Sequence, residues 1–95
     1  MPDQMHPISA GLDALKAQLL AGLPPEEAPL VAWPYVCGQR VAENARALAF
    51  AEGVLTVTVP DDGWRRELTG MAATYVAKLN QVLPVKVRRI DFQKG

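Results

Sequence analysis

The chain has one cysteine (Cys37), one histidine (His6) and one serine (Ser9). That scarcity excludes most catalytic and metal chemistry. A serine or cysteine nucleophile needs a base held within hydrogen-bond reach, and His6 falls in a proline-bearing N-terminal stretch without periodicity. A structural zinc site takes about four protein ligands and a catalytic one about three, more than one sulfur and one imidazole supply. The Asp61-Asp62 pair is explained more simply as a helix cap than as a cation site. A lone cysteine forms no internal disulfide. Net charge is also missing: ten basic and ten acidic residues cancel, which removes the simplest argument for a polyanion or membrane binder. No stretch approaches the roughly 20 apolar residues of a membrane span. The N-terminus has neither the basic start nor the apolar run of a signal peptide. The expectation is a non-enzymatic chain without cofactor, metal or membrane contact, in a reducing cytoplasmic setting.

What is present is enough apolar content, 49% of 95 residues, for one small folded domain. Residues 1–7, with two prolines and no periodicity, read as a flexible tail, and residues 8–93 as the domain. The neutral total hides an asymmetry. Asp3, Asp13, Glu26 and Glu27 face only Lys16 in the first 37 residues, whereas Lys86, Arg88, Arg89 and Lys94 face only Asp91 from residue 84 onward. A polyanion or an acidic partner would meet the C-terminal end.

A first helix is expected from Ser9, with Leu12, Leu15, Leu19 and Leu20 at helical spacing until Gly22. After the Pro24-Pro25 turn, Leu30, Trp33, Val36, Cys37 and Val41 keep that spacing across Pro34, which removes one backbone bond. Gly38 marks a break or a close approach, with a further helical turn from Arg40 to Asn44. From Arg46 the period changes to two. Leu48 and Phe50 should share one face of a first strand, and Leu55, Val57 and Val59 one face of a second, with Glu52-Gly53 as the hairpin turn.

Asp61 or Asp62 then caps a long third helix whose apolar stripe, at about 100° per residue, runs from Trp64 through Leu68, Met71, Tyr75 and Leu79 to Leu83. Pro84 ends it, and Val85 to Phe92 reads as the last strand. Its alternation fails between Val87 and Ile90, which calls for a bulge at Arg88-Arg89 or partial cover on both faces. The fold class is therefore α+β in two layers, of order ααββαβ, with a three-stranded sheet packed against helices. Because crossovers within one sheet are right-handed, the third strand should run parallel to the second.

Trp33, Trp64 and Tyr75 occupy apolar helix positions and are better read as core than as stacking platforms, while Tyr35 lies off the stripe. Cys37 reads as a small core residue. The functional signal lies in Arg65 and Arg66 near a helix start, and in Lys86, Arg88 and Arg89 at the last strand. Brought together, these would make a rim for an anion or an acidic partner. Left apart, they are a solvated surface.

Trp33 with Val36 and Gly38, then Val41-Ala42, Gly53-x-Leu55-x-Val57-x-Val59, Trp64-x3-Leu68, Leu79-Asn80 and Ile90-x-Phe92 follow one another in an order that resembles the DciA family of bacterial replication proteins. The resemblance covers about residues 27–93. It implies a K-homology (KH)-like fold and action with the DnaB-type replicative helicase, and any contact with single-stranded DNA is expected to be weak. The alternatives are a KH-like RNA-binding or ribosome-associated module, and an interaction or dimerisation domain with no nucleic-acid role. KH modules that bind nucleic acid in the usual way clamp its backbone with a Gly-x-x-Gly loop, and no such tetrapeptide occurs in this sequence. Many family members also carry a basic extension after the last strand. Here only Gln93, Lys94 and Gly95 follow Phe92, so any role of such a tail is expected to be missing or to be carried by another polypeptide.

Overall fold

A computed structural model describes Leu20 and residues 22–95. The tail and nearly all of the helix expected from Ser9 lie outside the described residues, apart from Leu20, which is buried in the core.

Helix α1 (Ala28–Cys37) contains Pro34 and ends at Gly38, whose φ of 87° suits glycine. A Cβ on Gly38 would meet nothing within 4 Å, so the glycine serves the chain break and not a close approach. The short helix α2 (Gln39–Ala42) is the further turn expected from the sequence. Strands β1 (Arg46–Ala51) and β2 (Val54–Val59) form the hairpin. Glu52 and Gly53 both have positive φ, 53° and 81°, the signature of a type I′ turn. Asp61 caps the next helix, its Oδ1 accepting from the Trp64 amide at 2.8 Å.

The long third helix of the sequence reading is two helices, α3 (Asp62–Gly70) and α4 (Ala72–Val82). Gly70 is a poor helix former, and the Thr69 hydroxyl donates to the Arg65 carbonyl at 2.6 Å, a back-bond that bends helices. Met71 leaves helical geometry at φ −105° and ψ 4°. The apolar stripe therefore breaks phase. Leu68, Tyr75 and Leu79 are buried, Trp64 is half-buried, and Met71 is exposed.

Strand β3 (Arg89–Lys94) completes a mixed sheet of order β1-β2-β3, antiparallel between β1 and β2 and parallel between β2 and β3. The parallel pairing is as expected, and β2 is central. Leu55, Val57, Val59, Ile90 and Phe92 point into the helical layer, where Trp33 is 1% exposed.

Two strand expectations are corrected. The bulge lies in β1, where the register steps from Ala47↔Val57 to Ala49↔Thr56. Leu48 is the inserted residue and is turned outward, so Ala47, and not Leu48, shares the covered face with Phe50. The broken alternation of the last strand has neither of the expected causes. The strand begins only at Arg89, and Val85 to Arg88 are a connection with Val87 tucked into the core.

Asn80 holds that connection. Its amide oxygen accepts from the Val87 N–H at 2.8 Å and its amide nitrogen donates to the Val87 carbonyl at 3.0 Å. Both polar backbone groups of a buried residue are thus satisfied by one side chain. Replacing Asn80 with Ala should lower stability by about 1–3 kcal/mol, measured as the urea midpoint at unchanged slope.

Candidate partner interface

The two basic clusters fall at different places along β3. Arg65 and Arg66 project from α3 and, with Thr69, form one wall of an open groove of about 540 Å³. Ile90, Asp91, Phe92 and Gln93 of β3 form the other wall. Arg65 pairs with Asp62 at 3.6 Å, an exposed contact that water screens strongly. Among the described residues Arg66 makes no ion pair. Arg89 makes a two-point contact with Asp91, Nε to Oδ1 at 3.2 Å and Nη2 to Oδ2 at 3.5 Å. Asp91 therefore borders the groove and is paired with Arg89, which does not itself line it.

Arg88 immediately precedes β3, beside the hairpin turn. Its amide donates to the Gly53 carbonyl at 2.7 Å, and its methylenes cover Gly53 so closely that a Cβ there would come within 2.6 Å of them. Lys86 is exposed on the connection behind it. The structure thus brings Arg65 and Arg66 together on the groove wall, and leaves Arg88 and Arg89 beside the hairpin turn at the start of β3, with Lys86 on the connection before them. One continuous rim of all five does not form.

Missing from the sequence reading is the groove itself. Thr69 and Gln93 line it, and neither carries a charge or a motif that would single it out. The exposed Tyr35 borders a separate hollow with Pro34, Gln39, Ala42 and Glu43. No basic residue lines that hollow, so it is poorly suited to an anion.

Cys37 is half-buried, and burial pushes its thiol from 9.0 to about 11, partly offset by a backbone hydrogen bond. Tyr75 is raised as well, by burial first and then by the charges of Cys37 and Glu67. At neutral pH the thiolate that would act as a nucleophile is depleted about a hundredfold relative to an ordinary cysteine. Because the folded-state pKa of each group lies above its unfolded value, the unfolded chain releases these protons first. Stability should be full below about pH 9 and fall as the pH rises through about 11. Urea midpoints across that window test this, and Cys37→Ala should flatten the decline in part.

Among the described residues no helix is long and apolar enough to cross a membrane, and no group of three or more His, Cys, Asp or Glu side chains could hold a metal ion. No curated protein matches the chain. The buried Trp33, the Gly38 break, the Gly53 turn and the Asn80 staple all fall within residues 8–92, which match the family model described as "Dna[CI] antecedent, DciA". A match over nearly the whole chain, on the elements that make the fold, establishes that this chain belongs to the DciA family, a family of bacterial DNA replication.

Proposed function

We propose that the chain is a non-enzymatic, KH-like replication accessory module that contacts the DnaB-type replicative helicase and, weakly, single-stranded DNA. Membership of the DciA family over residues 8–92 is the observation that carries this reading. The groove beside β3, with Arg65 and Arg66 on its wall, is the surface proposed for the contact. Protein contact is favoured over autonomous nucleic-acid binding for three reasons. The chain has no net charge and no Gly-x-x-Gly clamp, and Asp91 would oppose a phosphate backbone laid along the groove.

A pull-down with the replicative helicase of the same organism should retain the chain, and failure to retain it would remove the reading. Single-stranded DNA should bind with a Kd weaker than about 10 µM. Its log affinity should fall with log salt at a slope near −0.7 for each of a few phosphate contacts. Tight binding that survives high salt would point instead to base stacking, with Tyr35 as the exposed aromatic.

A further inference from the structure

The edges of the sheet differ in a way that bears on how a partner docks. On β2, Val54, Thr56 and Thr58 pair with β1, while the carbonyls of Gly53 and Val59 accept from the amides of Arg89 and Gly95. Backbone groups alternate sides along a strand, so the N–H and C=O groups of Ile90, Phe92 and Lys94 are turned to the open edge. They are spaced about 6.6 Å apart, two strand residues each. This open edge runs along the groove. The free edge of β1 has no such companion. Its pairing is interrupted by the bulge at Leu48, and between Arg46 and Glu52 it carries no charge.

We infer that the groove takes an extended segment of a partner protein as a fourth strand beside β3, with acidic side chains at alternate positions meeting Arg65 and Arg66. This deepens the proposed function and rests on it for the identity of the partner. Pleating is what fixes the chemistry. Alternate side chains of an added strand would point to the helical side, where α3 presents Arg65, Arg66 and Thr69. The intervening ones would lie on the outer side, beside Arg89 and Gln93 of β3, and Asp91 disfavours acids among them. An alternating acidic and neutral segment fits both walls. A continuous polyanion would run against Asp91. Main-chain pairing of this kind supplies affinity, and the side-chain contacts supply selection.

Amide exchange on the full chain, read residue by residue, tests the inference. The probes are an alternating valine–glutamate octapeptide, its valine–lysine counterpart, the purified helicase and a single-stranded oligonucleotide. The acidic peptide should slow exchange at Ile90, Phe92 and Lys94 by roughly tenfold or more. The amides of Arg89 and Asp91, already turned to β2, should hardly change. The lysine peptide should have no effect, and Arg65→Glu/Arg66→Glu should abolish the protection without changing the melting temperature. If the acidic peptide protects these amides and the helicase fails to bind, the inference stands and the proposed function falls. If the helicase binds while the three amides exchange freely with every probe, strand addition is overturned and the helicase reading stands. Protection by the oligonucleotide in place of the peptide would overturn the acidic-segment assignment.

Discussion

Trp33→Ala should destabilise the fold by about 3–5 kcal/mol, the largest loss expected from any single substitution here. The ring is 1% exposed, meets Tyr75 edge-on at a centroid distance of 5.3 Å and lies 6.0 Å from Phe92. One side chain thereby ties α1 to α4 and to β3. Its Nε1–H also donates to the Ala45 carbonyl at 2.9 Å, which fixes where the chain enters β1. Removing the indole opens a cavity among three elements and strips a buried carbonyl of its donor. Trp33→Phe separates the two effects, since it keeps most of the volume and loses the hydrogen bond, and should cost about 1–3 kcal/mol. Urea or thermal unfolding of both variants measures the difference. Equal midpoints for Trp33→Ala and the parent would contradict this placement.

Gly53→Val should cost about 2–3 kcal/mol, for two reasons. A β-branched residue at φ 81° is strained, and a side chain at this position collides with the Arg88 methylenes. The second cause is local and reversible. Arg88→Ala in the Gly53→Val background should recover part of the loss, while the backbone strain remains. Full additivity of the two substitutions in a double-mutant cycle would mean that Arg88 does not lie over the turn. The pair also links fold to site, because the same packing and the Gly53 carbonyl hold the start of β3 in register with β2.

Much of this architecture is legible in the sequence because period and punctuation agree. The hairpin is written in Leu55, Val57 and Val59 around Glu52-Gly53, the Asp61 cap precedes its helix, and the helical crossover between β2 and β3 is the connection that parallel strands use. Where reading and structure part, a local interaction overrides the pattern. Regular alternation over Arg46 to Ala51 conceals the bulge, since alanine suits either face and only the pairing with β2 turns Leu48 outward. The continuous stripe from Trp64 to Leu83 conceals the break at Met71, which follows from Gly70 and the Thr69 back-bond and leaves Trp64 only half-buried. Val85 to Arg88 has the composition of a strand, but its backbone bonds go to Asn80 and Gly53.

The site was partly legible in the same sense. Charge asymmetry picks out the arginines, but strand order decides which edge is open, and no periodicity encodes strand order. Only the structure separates Arg65 and Arg66, on the groove wall, from Lys86, Arg88 and Arg89 near the hairpin turn.

The measurement that bears most directly on the central claim is binding of the purified replicative helicase to the immobilised chain at low and high salt. The account predicts saturable binding with a Kd of roughly 10 µM or tighter. For the folded Arg65→Glu/Arg66→Glu variant it predicts an on-rate about tenfold slower at low salt, converging on the parent at high salt. No saturable binding up to about 100 µM, or an on-rate at low salt indifferent to the charge reversal, would contradict it.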